Sequence, residues 1–260
     1  MSVYLTELIG ARELLFTWAM RDFRVRYSQS ILGAAWAILQ PLSLMVIFSI
    51  IFSFFIKIPT GDIPYPIFVY TALLPWGFFS GALSTAIPSL VTNMNLVSKI
   101  YFPREILPLS AIMVSFIDFL IASTVYVLMI FLYRFPVGLA ILLVPGVLFI
   151  QILLTFGISL LASTIMVFYR DVRFVIPLVL QIWMYLSAII YPVSVVPERF
   201  RPIFFLNPMA VFIDTYRRLI LYNQIPDWLY LGYATLFSSI LTVVAYLYFK
   251  RMEKQFADLI

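Results

Sequence analysis

The sequence predicts an all-α integral membrane protein, and its composition supplies the main reasons. Of 260 residues, 63% are hydrophobic and 11% are charged, whereas a soluble domain has about 25% charged residues. Six long segments carry at most one charge, and each can supply the roughly 20 apolar residues that cross a bilayer as a helix. The sequence has no cysteine and no histidine, so we expect no thiolate or imidazole metal site.

Six spans fit these apolar segments when turn residues are used to set their limits. Pro41 lies inside the first span and predicts a kink there. Pro75 and Gly77 lie inside the second, with serines nearby, a composition typical of contacts between helices in membranes. The predicted spans are residues 32–56, 66–90, 105–133, 140–168, 174–191 and 228–249.

Residues 1–27 predict an amphipathic helix that lies in the membrane interface. They carry too many charges for a signal peptide. At 100° per residue, the apolar side chains fall within an arc of about 140°, a pattern typical of helices that lie flat at a membrane surface. The apolar arc contains Leu5, Leu8, Ile9, Leu15, Phe16, Ala19, Met20 and Phe23.

The connection 192–227 is the one long segment between spans. It is too apolar for a free loop and too often interrupted for another span. We therefore predict two short re-entrant helices on the outer side, broken at Asn207–Pro208. Such backbone is tolerated at membrane depth only where protein or a water-filled cavity satisfies it.

The distribution of lysine and arginine predicts the orientation of the chain. With six spans, both termini lie on one side, and that side then holds eleven of the seventeen cations. We therefore place both termini in the cytoplasm, and we interpret the net charge of +5 as an orientation signal rather than a nucleic-acid signal. The eleven are Arg12, Arg21, Arg24, Arg26, Lys99, Arg104, Arg170, Arg173, Lys250, Arg251 and Lys254.

A short charged segment, residues 93–105, joins the second and third predicted spans, and we call it the charged turn. It contains Lys99, Arg104 and Glu105 between two long apolar runs, so we expect it in water or among head groups. Pro103 and Glu105 also suit the start of a helix, because proline fits the first turn and a carboxylate favours the positive end of the dipole.

Two stretches of the sequence resemble one protein family. Residues 26–36, RYSQSILGAAW, followed by Pro41, and residues 96–108, LVSKIYFPREILP, are similar to the type-two ABC export permeases for cell-surface polysaccharides. These are the exporters of O-antigen, capsule and teichoic acid. The resemblance covers the whole chain in the number and order of spans.

The resemblance implies a membrane-spanning permease of the cytoplasmic (inner) membrane that is not an enzyme by itself. It implies a homodimer bound to two copies of a separate ATP-binding subunit, which would hold ATP and Mg; this chain has no Gly-Lys pair and thus no phosphate-binding loop. The substrate implied is a polyprenyl-linked polysaccharide, O-antigen first and capsule or teichoic acid as the alternative. The charged turn would face the ATPase, through Asn95, Lys99, Tyr101, Phe102, Pro103, Arg104 and Glu105.

Three sets of residues are candidates for substrate contact. Arg24, Arg26, Lys99 and Arg104 either anchor the cytoplasmic boundary or hold the diphosphate of the lipid carrier. Asp118 lies mid-span, where a charge costs about 2.5–3.5 kcal/mol and should face the bundle interior; it is a packing partner or a contact for sugar hydroxyls, as are Gln40, Gln151 and Gln181. Aromatic rings either pack or line a channel, and the candidates are Phe48, Phe52, Phe55, Trp183, Tyr185 and Tyr191.

Two other classes of function are alternatives. An intramembrane glycosyltransferase would need clustered acids or a metal site, and the carboxylates here are isolated. An ion-coupled transporter usually has inverted repeats and several ionisable groups inside the membrane, and here Asp118 is the one charged group that lies well inside a span.

Overall fold

The computed structural model describes residues 10–28, 30–99 and 102–256, and this part of the chain is built from helices joined by turns. Short 3₁₀ turns occur at Gly33–Ala35, Leu139–Leu143, Val193–Val195, Glu198–Phe200 and Glu253–Gln255, and Ile50–Phe55 forms a π-helix. The α-helices are α1 (Arg12–Tyr27), α2 (Trp36–Ser49), α3 (Tyr65–Ala86), α4 (Ser89–Thr92), α5 (Met94–Lys99), α6 (Ile106–Leu132), α7 (Val144–Phe168), α8 (Val172–Tyr185), α9 (Arg201–Phe204), α10 (Pro208–Ile220) and α11 (Trp228–Met252).

The predicted fold class is confirmed as an all-helical protein with membrane-spanning segments. Five helical segments are long and apolar enough to cross a bilayer, and they correspond to the first four predicted spans and the last. They are Gly33–Ser53, Tyr65–Ala86, Ile106–Leu132, Leu139–Phe168 and Trp228–Gln255.

The fifth predicted span, residues 174–191, is shorter than expected. Helix α8 has 14 residues, about 21 Å at 1.5 Å per residue, against a hydrocarbon core of about 30 Å. The helix ends because the chain turns at Ala188, whose φ is +52°. The backbone carbonyls of Ala188, Ile189 and Tyr191 then accept hydrogen bonds from the guanidinium of Arg217 instead of continuing a helix.

Arg217 is one of the six cations that the orientation prediction leaves on the outer side, but the structure buries it in the bundle. Its side chain is 2% exposed, and its guanidinium lies 3.7 Å from the centre of the Phe68 ring. Buried arginine is tolerated here because its two terminal nitrogens donate to three backbone carbonyls, although Nε has no partner among the described residues. Arg217 therefore fixes α10 to the end of α8.

Two helix limits near the charged turn also differ from expectation. The second span ends at Ala86 rather than at residue 90, because Pro88 lacks an N–H and restricts Ile87 before it. The charged turn was expected to be a loop, but residues Met94–Lys99 form the short helix α5.

The connection 192–227 folds back against the bundle. The chain breaks before Pro208, where Asn207 accepts a hydrogen bond from the Met209 amide and caps α10. Eleven of the thirteen residues of α10 are buried, and the helix contacts α3, α7 and α11.

Helix α3 is the centre of the bundle. Most of its residues are buried, and it packs along α6 and also contacts α2, α7 and α10. The other close pair is α7 with α11, where Gly157 lies against the backbone of Thr242 and an added Cβ would come within 3.1 Å of it. The small residue permits this close approach, as in other membrane helix pairs.

Helix α1 runs beside the first half of α6. The Trp18 ring stacks on Phe102 just before α6, and Arg26 reaches Asp118 further along it. Ala19 is fully buried, but Phe16, which belongs to the predicted apolar arc, is 57% exposed. The part of the N-terminal prediction that falls on residues 1–9 lies outside the described residues.

We predict that Arg217→Leu destabilises the protein, because three buried carbonyls lose their donor at about 1–3 kcal/mol for each orphaned group. The matched control is Arg218→Leu on the same helix, which removes a pair to Asp214 from a side chain that is 34% exposed. A melting temperature measured in detergent should fall clearly for Arg217→Leu and little for Arg218→Leu. Equal melting temperatures for the two variants would contradict the assignment.

Candidate functional site

A cavity of about 580 Å³, which we call the inner groove, lies between α2, α3 and α6. Its volume is in the range of ligand pockets in proteins. Its walls combine aromatic rings with hydroxyl groups, and Arg26 and Asp118 are the charged residues that the structure places along it. The aromatic rings are those of Tyr27, Trp36, Trp76, Phe78 and Phe119, and the hydroxyls are those of Ser80, Ser84, Thr85 and Ser115.

An ion pair joins α1 to α6 at this groove. Arg26 Nη1 lies 2.5 Å from Asp118 Oδ2, and the Tyr27 hydroxyl donates a 2.8 Å hydrogen bond to Asp118 Oδ1. Burial, with the hydrogen bond to Asp118 as the second cause, raises the pKa of Tyr27 to about 12, so the hydroxyl remains a donor at neutral pH. Asp118 lies about 18 Å along the axis of α6 from Ile106, at 1.5 Å per residue.

The hydroxyl groups of the groove have unused hydrogen-bonding capacity. Ser80, Ser84 and Thr85 each donate to a carbonyl one turn earlier in α3, which leaves the lone pairs of each oxygen as acceptors. Ser115 is 3% exposed, and its Oγ has no partner among the described residues. A ligand with hydroxyl groups could bond to all four.

Among the cations expected to form a diphosphate site, those whose side chains are described do not converge. Arg26 is engaged with Asp118, whereas Arg104 donates to the carbonyl of Glu253 and lies over the Phe256 ring at the end of α11. Arg24 is exposed, and the side chain of Lys99 lies outside the described part. The four-residue cluster is therefore corrected to Arg26 at the inner groove and Arg104 at a separate cytoplasmic contact.

The aromatic residues expected along a channel mostly pack elsewhere. Phe48 and Phe52 meet edge to face, and Phe52 stacks on Tyr65 in the core. Phe55 is 78% exposed on the outside of the bundle. Trp183 also packs, and the sequence missed Trp36 and Trp76, which line the groove.

Residues near the end of α8 hold the chain turn together. Trp183 Nε1 donates to Asn207 Oδ1 at 2.7 Å, and its ring meets Phe79 edge to face. Tyr191 donates to the carbonyl of Tyr185, whose own side chain is 51% exposed. Packing thus accounts for Trp183 and Tyr191.

The predicted glutamines have three different environments. Gln40 lines the inner groove. Gln151 is fully buried, donates to the Pro75 carbonyl and accepts from the Tyr216 hydroxyl, so it is a packing partner. Gln181 is exposed on α8.

At the start of α6, the charged turn is fixed to the end of α11. Glu105 is fully buried; its Oε2 lies 2.9 Å from Lys250 Nζ, and its Oε1 accepts a 3.3 Å hydrogen bond from the Tyr246 hydroxyl. Lys250 also pairs with Glu253 at 3.0 Å. Both carboxylate oxygens of Glu105 are thus satisfied inside the protein.

This arrangement corrects part of the predicted ATPase-facing set. The side chains of Glu105 and Phe102 point into the protein, since Phe102 is 8% exposed and stacks on Trp18 of α1. Asn95 is exposed on α5, Pro103 is half-buried, and Tyr101 lies outside the described residues. The sequence could not indicate the Glu105–Lys250 pair, because the two residues are 145 positions apart.

Comparison with known proteins identifies the family. Residues 13–221 match the ABC-2 type transporter family. The chain belongs to the ABC-2 type transporter family. This match confirms the resemblance that the two sequence stretches indicated.

Several curated relatives of this ABC-2 permease are export or transport proteins by name. It is 30% identical over 249 residues to the O-antigen export system permease protein RfbA of Klebsiella pneumoniae, covering 95% of each chain. It is 26% identical to RfbA of Myxococcus xanthus over 97% of each chain. It is 22% identical to the polysialic acid transport protein KpsM of Escherichia coli, covering 90% of this chain and 92% of KpsM.

We predict that Glu105→Ala destabilises the permease by about 3–5 kcal/mol, the usual effect of breaking a buried ion pair. Glu253→Ala is the matched control, because Glu253 also pairs with Lys250 but its side chain is 20% exposed. Melting temperatures in detergent should fall much further for Glu105→Ala. A larger loss for Glu253→Ala would show that the buried carboxylate does not hold this contact.

Proposed function

We propose that this chain is the membrane-spanning permease of an ATP-driven exporter that moves a lipid-linked polysaccharide, O-antigen in the first place. The observation that carries the proposal is the 30% identity to an O-antigen export permease over 95% of both chains. Capsule export is the second candidate, favoured by the similarity to KpsM.

The chemistry of the inner groove supports a glycan as the transported group. Its hydroxyls can exchange hydrogen bonds with sugar hydroxyls, and its aromatic rings offer flat apolar faces. The charges of Arg26 and Asp118 balance, so the groove favours a neutral polar group rather than a strongly charged one.

The proposed topology has six spans in the cytoplasmic membrane, with α8 as the fifth and both termini in the cytoplasm. One face of α8 is exposed and apolar, as expected for a helix in lipid or against another membrane subunit. This face includes Phe174, Val175, Leu178, Val179, Ile182 and Tyr185. A polar loop at residues 169–173 precedes it and fits the cytoplasmic side.

A homodimer is proposed because one face of α8 has no partner among the described residues. Gln181 is exposed in the middle of that apolar face, and a polar amide in contact with lipid is unfavourable. Two copies related by a twofold axis would present α8 to each other or to a shared channel.

The energy for transport is proposed to come from a separate ATP-binding subunit, present in two copies, which holds ATP and Mg. It would act on the charged turn, which joins α3 to α6 and is fixed to α1 by the Trp18–Phe102 stack and to α11 by the Glu105–Lys250 pair. A push at α5 would then move α11 together with α3 and α6.

The function is tested in a strain that lacks its own O-antigen permease but makes the lipid-linked glycan. We expect this chain, expressed with its cognate ATPase, to restore surface O-polysaccharide on a lipopolysaccharide gel. An ATPase variant unable to hydrolyse ATP should not. The proposal would be refuted if surface glycan appeared without ATP hydrolysis. It would also be refuted if no surface glycan appeared although the permease and its ATPase were both stably produced.

The homodimer is tested with Gln181→Cys, since the chain has no cysteine of its own. We expect a bismaleimide to join two copies in native membranes, because the residue faces the proposed twofold axis. Leu128→Cys on α6 is the control, as Leu128 is 53% exposed on an apolar surface away from α8. Equal crosslinking at the two positions would argue against α8 as the contact.

A further inference from the structure

A second polar groove adjoins the inner groove, and we call it the outer groove. The name does not refer to the outer side of the membrane. It has a volume of about 350 Å³ and lies between α1, α4 and the start of α6. Its polar side chains differ from those of the inner groove except for Arg26 and Thr85, which line both. The others are Arg21, Asp22, Ser89, Thr92 and Asn93.

The shared residues place the Arg26–Asp118 pair at the junction of the two grooves. Thr92 and Asn93 lie beside the charged turn, at the cytoplasmic end of the outer groove. Ser115 and Asp118 lie deeper along α6, in the inner groove. Polar side chains therefore continue from the charged turn into the interior of the bundle, past one ion pair.

This ion pair is suited to opening. Only one hydrogen bond, from Arg26 Nη1 to Asp118 Oδ2, joins the two charges in the described structure, and the side chains are 31% and 20% exposed. A partly exposed pair of this kind contributes about 1 kcal/mol or less. Arg26 lies in the last turn of α1, so parting the pair leaves that end of α1 joined to Asp118 by the Tyr27 hydrogen bond.

We propose that the two grooves form one path from the cytoplasmic side, that the hydroxyl-rich head of the exported amphiphile takes this path into the bundle, and that the Arg26–Asp118 pair closes it. The identity of the amphiphile rests on the proposed function; the path itself does not. The hydroxyls of Thr85, Ser84 and Ser115 would replace water around the sugar. The two cations and two anions along the path balance, which suits the uncharged sugars of the head rather than the diphosphate of its carrier.

The path is tested by cysteine labelling, because introduced cysteines are the sole thiols in this chain. Thr92→Cys reports on the outer groove and Ser84→Cys on the inner groove. Thr92 is exposed along the outer groove, and Ser84 is exposed along the inner groove, which the proposal places beyond the Arg26–Asp118 pair. Leu128→Cys is the control on the apolar face of α6. Inside-out membrane vesicles carrying the permease with its ATPase are treated with the membrane-impermeant reagent sulfonatoethyl methanethiosulfonate.

With the ion pair intact, Ser84→Cys should react at least about tenfold more slowly than Thr92→Cys, as expected if the open state is a minor population below about 10%. Asp118→Asn should bring the Ser84→Cys rate close to that of Thr92→Cys. The charge exchange Arg26→Asp with Asp118→Arg should restore the slow rate. Leu128→Cys should not react in any background.

Two outcomes would overturn the path. One is that Ser84→Cys is labelled as fast as Thr92→Cys both with Asp118 and in the Asp118→Asn background. The other is a Ser84→Cys that stays unreactive in the Asp118→Asn background while the protein retains its wild-type amount and its association with the ATPase.

Occupancy of the path by the glycan head is tested by comparing cells that make the lipid-linked glycan with cells that cannot start its synthesis. In the Asp118→Asn background, Ser84→Cys should be labelled more slowly where the glycan is made. Equal rates would refute occupancy by the glycan. The O-polysaccharide gel measures export separately, so restored export with equal labelling would remove this path and leave the proposed function standing.

Discussion

The ion pair between Glu105 and Lys250 is the interaction on which the account of this permease depends. A fully buried carboxylate needs a cation and further hydrogen bonds, and here Lys250 and the Tyr246 hydroxyl supply them. The pair fixes the start of α6 to the end of α11. The charged turn is thus part of a rigid contact among helices and not a free loop between two spans.

The need to pair a charge inside the protein recurs at two other places in the molecule. Arg217 satisfies three carbonyls at the turn after α8 and holds α10 in the bundle. Arg26 meets Asp118 and holds the end of α1 against α6. In each case the charge joins segments that are not adjacent in sequence, because a charge in an apolar surrounding must find a partner. The contacts differ in exposure: Glu105 and Arg217 are fully enclosed, and the Arg26–Asp118 pair borders a cavity.

Much of the fold could be predicted from the sequence because apolar runs report directly on where long apolar helices lie, and five of the six predicted spans correspond to such helices. The start of α6 near residue 105 and the break at Asn207 followed from charge and proline alone. The length of α8 could not be predicted, since the segment after Tyr185 is as apolar as the helix itself. This segment does not continue the helix because its backbone carbonyls accept hydrogen bonds from Arg217, which is distant in sequence.

The site was less predictable than the fold. Asp118 and Arg26 were identified as unusual charges, but their pairing across 92 positions was not visible in the sequence. Phe48 and Phe52 share a helical face, which indicates packing as readily as a channel. Trp36 and the serines of α3 have no spacing that distinguishes a groove from an ordinary helix contact.

The most direct measurement of the central claim is the amount of glycan exported per ATP hydrolysed, for wild type and for Glu105→Gln, in vesicles that contain the permease and its ATPase. The amide keeps the shape of the side chain but removes the charge that binds Lys250. If the charged turn transmits force through α11, ATP hydrolysis should continue in the variant while export per ATP falls. Wild-type export per ATP in a variant that is shown to have lost the Lys250 contact would contradict the account.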